Sequence, residues 1–301
     1  MSELTLVVLA AGMGQRFGDR IKQLEPLGPS GELLIDYSVY DALQNGFSRV
    51  LFIIRKDIEE LFKSTIGARV EKLVKTEYVF QSPEKLPVRA GDFPSREKPW
   101  GTAQALWCCK DKLDGRFAVI NADDFYGSGA FKLLGDFIRD PTCESCSVDF
   151  LLKNTLSDIG EVNRGVCRSN DDHFLTLVEE TKGIKRGMDG VIRGKYNGEE
   201  RILGDDDTVS MSMWGFEPQF MAVLESRLSD FLNLLPADDM RSELTIAESV
   251  GREIIQNGFK CLDIPTGSKW FGITYENEID AAKKILAQYV EESVYHTPLF
   301  R

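Results

Sequence analysis

Leu4-Thr-Leu-Val-Val-Leu-Ala-Ala-Gly-Met-Gly-Gln-Arg-Phe-Gly18 is the stretch on which the fold turns. Leu4 to Leu9 is a short, nearly continuous apolar run, as expected of a strand buried on both faces in a parallel sheet. Small residues follow at once. Ala10, Ala11, Gly12 and Gly14 leave the backbone bare, so its N–H groups can approach phosphate oxygens. Arg16 and, further on, Lys22 add a planar fork and a point charge where a polyphosphate would lie. A P-loop needs G-x-x-x-x-G-K-[ST], which is absent, and the third glycine of a dinucleotide fingerprint comes one residue late, at Gly18. The bland alternative is a glycine-rich turn after a strand.

Outward from this stretch, Val50–Ile54 and Phe117–Ile120 read as further buried strands. Between them lie helical patterns: Ile35, Val39 and Leu43 at four-residue steps, Ile58–Ile66, and Gly101–Leu113. Strands separated by helices predict a parallel sheet with crossover helices. In the second half, Val148–Leu152, Phe174–Val178 and Ser210–Phe216 read as strands. Gln219–Leu228, Ile246–Gln256 and Glu278–Glu291 read as helices. Gln81–Trp100 and Arg186–Asp207 read as long loops, of the kind that serve as functional lids or are disordered.

Apolar residues make up 43% of the 301-residue chain and charged residues 28%, the composition of a soluble globular protein. A formal net charge of −12 argues against a nucleic-acid partner, because that affinity comes from Lys and Arg displacing counterions. No apolar run is long enough to span a bilayer, and Met1-Ser2-Glu3 is not a basic leader, so no membrane partner and a cytoplasmic location are expected. Cys143-Glu-Ser-Cys146 has no second cysteine pair and no histidine at metal spacing, since His173 and His296 lie far off. Its cysteines are expected to be idle thiols.

The L-A-A-G-x-G-x-R…K pattern resembles the signature of the sugar-nucleotide pyrophosphorylases, nucleotidyltransferases with a glycosyltransferase-A-like Rossmann fold. The likeness is strong to about residue 126 and looser afterwards. It implies an α/β three-layer sandwich with a mixed, mainly parallel central sheet. One domain, 1–301, would hold a nucleotide-binding half (about 1–130) and an acceptor-binding half (about 131–301). The loop from Leu9 through Ala10, Ala11, Gly12 and Gly14 would wrap the triphosphate. Arg16 and Lys22 would be catalytic, stabilising the α-phosphate and the departing pyrophosphate. Gln81 and the segment Pro99–Ala105, with Gly101 and Thr102, resemble the family's base-reading elements.

Val119-Ile-Asn-Ala-Asp-Asp-Phe-Tyr-Gly127 follows a predicted strand, and acidic residues there face the crevice where α/β sheets bind ligands. Asp123 matches the family's catalytic metal aspartate, with Asp124 beside it, and magnesium suits such carboxylates combined with phosphate oxygens. The alternative is an Asx turn or helix cap ahead of Gly127.

On the acceptor side, Arg164-Gly-Val166 resembles the family's Y-G-V, which implies that Gly165 borders the sugar. Leu177-Val-Glu-Glu-Thr181 resembles V-x-E-K-P, which places Glu179 on sugar hydroxyls. The lysine that usually follows is Glu180 here, with Lys182 displaced. Trp214 matches an aromatic position in the strand Val209–Phe216. Lys269-Trp-Phe-Gly-Ile-Thr-Tyr275 stands where W-x-D-x-G-T is usual. The second metal aspartate is then Gly272, which leaves Thr274 or Glu278 as substitutes, or Asp123 and phosphates alone to hold the ion, and Lys269 is read as a replacement phosphate ligand. Where the geometry matches the family's, an aspartate installed at 272 is expected to be neutral or mildly activating.

The resemblance implies transfer of a nucleoside monophosphate from a triphosphate, UTP or dTTP ahead of CTP, to a sugar 1-phosphate. Magnesium is the implied cofactor. The partners are a nucleoside triphosphate and a small phosphorylated acceptor, and a homo-oligomer is left open. The rival readings are a phosphocholine-type or other non-sugar cytidylyltransferase and, because of Gly272, a catalytically silent relative that senses nucleotide sugars. A glycosyltransferase would need a D-x-D motif and lacks the G-x-G-x-R loop.

Overall fold

The run Thr5–Leu9 is strand β1, and all of its side chains but Leu9 are buried. It lies in a computed structural model that describes residues 3–12, 16–17, 20–21, 24–88, 96, 98–157, 160–236, 238–273 and 278–300. Two-residue strands β2 (Arg16–Phe17) and β3 (Arg20–Ile21) pair with each other beyond it. Helix α1 (Leu34–Gln44) then crosses to β4 (Arg49–Ile54). The predicted helix 58–66 is present as one unbroken helical segment, α2 (Glu59–Phe62), a π-helical turn at Lys63–Gly67, and α3 (Ala68–Val70). Strand β5 (Lys75–Phe80) and helix α4 (Thr102–Trp107) lead to β6 (Phe117–Asn121). In this half β1 pairs in parallel with β4 and β6, and β4 with β5.

The second half changes character. It contains β7 (Asp124–Phe125), α5 (Ser128–Arg139), β8 (Ser145–Leu151), β9 (Val162–Ser169) and β10 (Leu175–Arg186). Strands β11 (Ile192–Tyr196), β12 (Glu199–Leu203) and β13 (Thr208–Phe216) follow, then α6 (Phe220–Leu234) and α7 (Ile246–Asn257). The chain closes with β14 (Cys261–Thr266), β15 (Phe271–Gly272) and α8 (Glu278–Glu291). Here the pairing is antiparallel except for β8 with β14. The sheet is mixed as expected, with its parallel strands concentrated in β5-β4-β1-β6.

Helices cover both faces, giving three layers. One core packs α1 and α5 against Val8, Ile120 and Phe150. The other packs α4, α6 and α7 against Val7, Val119 and Trp214. A third cluster joins α8 and the tail (Tyr295, Leu299) to Tyr37, Phe125 and Ile273.

The segment 186–207, read as a loop, is instead the β11–β12 hairpin. Its turn is Asn197-Gly198, both at positive φ (50° and 84°), the pair that lets a two-residue turn match strand twist. That signal was present in the sequence, as was the amphipathic spacing of Ala130, Phe131, Leu134, Phe137 and Ile138 in the unrecognised α5.

A bulge in β13 opens the sheet beside the acidic turn. Residues 209–210 pair with β9, whereas 214–216 pair with β6. The register shifts between, where Ser212 has φ 61°. The sheet therefore parts between β6 and β9 at the level of Met211.

Candidate active site

Three strand ends converge. Ala10 N–H donates to Ile53 O (2.8 Å), Ala122 N–H to Leu9 O (3.1 Å), and Gln81 N–H to Ile54 O (2.9 Å). The start of the Ala10–Gly12 loop, Gln81 and the acidic pair thus leave the same edge of the parallel strands. Ala10 and Ala11 are buried, and Gly12 is exposed with open space where a side chain would be. Arg55 Nη1 holds the Ala11 carbonyl at 3.1 Å, and Asp57 fixes its guanidinium by two bonds of 2.9 Å. Sequence reading missed Arg55, which lies just past β4 with no motif to mark it. Gly14, Lys22 and the Arg16 side chain lie outside the described residues, so the two expected catalytic cations have no described position.

Gln81 is buried, and its orientation is fixed by a chain of bonds. Gln104 Nε2 donates to the carbonyls of Ser82 (2.7 Å) and Lys85 (3.0 Å), so its Oε1 must accept. Gln81 Nε2 donates to that Oε1 (2.7 Å) and to Gly101 O (3.1 Å). Both amide hydrogens are spent, and Gln81 can offer a ligand its carbonyl oxygen alone. Gly101 has a reason of its own to be glycine. It sits at φ 98°, and a Cβ would lie 2.4 Å from Leu244 O. Thr102 Oγ1 accepts from Ile246 N–H (3.0 Å), which caps α7.

Asp123 and Asp124 turn at the end of β6. Asn121 Nδ2 donates to Asp124 Oδ2 (2.9 Å). The Tyr126 hydroxyl stands 3.3 Å from that oxygen, accepts from Asn121 N–H (3.0 Å) and lies 3.1 Å from Met211 O in the bulge. Burial, then the charge of Asp123, raises the Asp124 pKa. Gly272 faces Asp124 across the β7–β15 pair. A Cβ at 272 would fall 2.8 Å from Asp124 Oδ1 and 3.2 Å from the Trp270 ring. An aspartate at 272 would need the Asp124 carboxylate to give way and would bring two carboxylates together. Among the described residues no cluster of three or more metal-ligating side chains exists. The donor set fits magnesium held by one or two carboxylates and completed by phosphate oxygens.

On β9 and β10, Gly165 pairs with Glu180 and Val166 with Glu179. Cross-strand partners share a face. Gly165 and Glu180 therefore project from one side, and Arg164, Val166, Glu179 and Thr181 from the other. A Cβ on Gly165 would lie 2.8 Å from Val178 Cγ1. Glu179 accepts from Arg168 Nε at 2.9 Å. Lys269 is exposed, on the connection between β14 and β15. Thr274 lies outside the described residues. The six cysteines are free, five of them buried. No helix among the described residues is long and apolar enough to cross a membrane.

Comparison with known proteins agrees with this fold. Residues 5–153, about half of the chain, match the Nucleotidyl transferase family. Among solved structures, the inositol-1-phosphate CTP transferase of T. maritima superposes with a TM-score of 0.61 at 14% identity, covering 95% of this chain and 96% of that one. A candidate glucose-1-phosphate thymidylyltransferase of Bacillus anthracis, solved with sucrose, gives 0.61 at 16%, covering 94% and 95%. The curated proteins give no match. The matched span carries the Ala10–Gly12 loop, Gln81 and the Asp123–Asp124 turn on one strand edge, and the chain belongs to the nucleotidyl transferase family.

Proposed function

We propose that the protein transfers a nucleoside monophosphate from UTP or dTTP, ahead of CTP, to a sugar 1-phosphate and releases pyrophosphate. The observation that carries this is the convergence of a bare-backbone loop, a locked glutamine and two carboxylates at one edge of β1, β5 and β6. Gln81 supports the order of bases. Uracil and thymine present N3–H, which an acceptor oxygen can take, whereas cytosine presents a lone pair at that atom.

An acceptor phosphate oxygen attacks the α-phosphorus in line, and the bond to the pyrophosphate oxygen breaks. The phosphate is already a nucleophile, so no general base is required. Catalysis is positioning plus charge neutralisation by loop amides, Arg16 and Lys22. Asp123 and Asp124 would hold magnesium, which when bound neutralises phosphate charge. Gly165, Glu179 and Lys269 are proposed acceptor contacts, and Gly101 and Thr102 border the base.

Pyrophosphate release tests this reading, with four triphosphates against sugar 1-phosphates, inositol 1-phosphate and phosphocholine. Turnover with UTP or dTTP and a sugar 1-phosphate is expected. No release with any pair would overturn the reading, and stabilisation by ATP or GTP alone would overturn the choice of base.

A further inference from the structure

Arg164 is a largely desolvated cation on β9 that, among the described residues, forms no ion pair. Its hydrogen-bond partners are neutral carbonyls: Nη1 donates to Asn163 O (2.9 Å) and Nη2 to Thr155 O (2.7 Å). Its Nε is buried with no partner. The guanidinium lies over the Trp270 ring, 4.8 Å from the centroid. Each terminal nitrogen keeps a second hydrogen, so the fork is held by the protein yet retains donors.

Burial lowers the Arg164 pKa, opposed by the charges of Asp124, Glu180 and Glu278, and the group stays cationic at neutral pH. Withdrawing a guanidinium from water without a carboxylate in contact is costly. Such a charge is poised for an anion that arrives later. Its surroundings say which. It projects from the same face as Glu179, beside Asp124, where the sheet parts between β6 and β9. A phosphorylated acceptor entering there meets Asp123 and Asp124, and needs a cation. Lys182 and Lys269 are exposed.

We infer that Arg164 receives the acceptor's phosphate and sets it against the nucleotide. This rests on the function proposed above. Arg164 would be a binding residue for the acceptor, distinct from a structural counter-ion of Asp124.

The test uses the full chain and two variants, Arg164→Gln and Arg164→Lys. Turnover is measured with the best acceptor of the panel, and binding of glucose 1-phosphate and of inorganic phosphate by calorimetry. Loss of a charge-assisted bond should raise the acceptor KM about 10–100-fold in Arg164→Gln. The nucleotide KM and nucleotide-induced thermal shift should hold. Arg164→Lys should raise the acceptor KM several-fold, because the fork is lost and the charge kept.

An unchanged acceptor KM in a folded Arg164→Gln overturns the inference while leaving the transferase reading intact. So does an equal rise in the nucleotide KM, the mark of a counter-ion. If Arg164→Gln does not fold, an Arg164→Lys matching wild type in acceptor KM overturns it. If wild type turns over no acceptor, the transferase reading fails. Calorimetry then decides the inference: phosphate binding lost in Arg164→Gln supports it, and binding unchanged, or absent from wild type, overturns it.

Discussion

At the proposed nucleotide end of the site, the candidate groups sit on turns beyond buried parallel strands. At the proposed acceptor end, they sit on the strands themselves, in antiparallel ribbons with bulges. Strand β4 is buried at every position, whereas β10 is exposed or half-buried over most of its length. The first arrangement separates the jobs: strands build the core and turns carry the candidate site residues. In the second, each side chain faces either the core or the ligand, and a one-residue shift in register exchanges them. Gly165 with Glu180, and Arg164 with Thr181, are such alternating pairs.

The sharpest way to test this contrast is at the loop end. Arg16→Ala, Lys22→Ala and Asp123→Asn should each lower kcat about 10²–10³-fold while the fold survives, since charge contacts made in the transition state are worth about 3–4 kcal/mol. Asp123→Asn should leave nucleotide binding largely intact. Steady-state kinetics with a thermal-shift titration check both. Near-normal turnover in any of them would remove the loop from the mechanism.

The next effect is on stability, at the seam between the ends. Gly101→Ala places a Cβ 2.4 Å from Leu244 O at φ 98°. It should destabilise the protein by about 2–4 kcal/mol, through strain and displaced backbone. An unaltered urea midpoint would contradict the packing of Gly101 on Leu244. Smaller again is Gly272→Asp, which crowds Asp124 Oδ1 and the Trp270 ring and should cut turnover about tenfold. Manganese binding in the presence of nucleotide should weaken in parallel. A gain in activity would restore the expectation drawn from the sequence.

The difference between the ends also explains what the sequence disclosed. Thr5–Leu9, Arg49–Ile54 and Phe117–Asn121 are apolar at nearly every position because both faces are covered, so a short run identifies them. Strand β10, Leu-Thr-Leu-Val-Glu-Glu-Thr-Lys-Gly-Ile-Lys-Arg, carries charge and glycine and is interrupted by two register shifts, so its pattern is legible only as far as Val178. The need for glycine at 101 comes from Leu244, and the hydroxyl of Thr102 caps a helix that begins at Ile246. Such contacts are set by tertiary packing, which no local pattern contains. Arg164 stands out in the sequence only through its glycine neighbour, because its desolvation depends on Trp270 and Thr155 arriving from elsewhere.

The smallest expected effect separates core from ribbon by pH. In the aromatic layer below β7, Asp41 is buried, its Oδ2 accepts from the Tyr295 hydroxyl (2.7 Å), and its Oδ1 has no partner. Burial raises its pKa to about 7, against a lowering by Tyr295. The folded protein therefore keeps this proton while the unfolded chain loses it near pH 4. The associated stability is present below that value and is lost as pH rises towards about 7. The slope is at most about 1.4 kcal/mol per pH unit. Asp149, raised by burial and then by Asp263, acts in the same direction. On the hairpin side, Asp189 is exposed and bonded to Arg193, which lowers its pKa to about 2. Its contribution is present above the unfolded pKa and is lost as pH falls towards 2, and an exposed pair of this kind is screened by solvent. Asp41→Asn should therefore flatten part of the pH 4–7 slope in urea unfolding, whatever it costs in packing, because only a titrating group produces a slope. Asp189→Asn should leave that slope unchanged. A wild-type slope retained in Asp41→Asn would mean that Asp41 ionises in the core at its ordinary pKa.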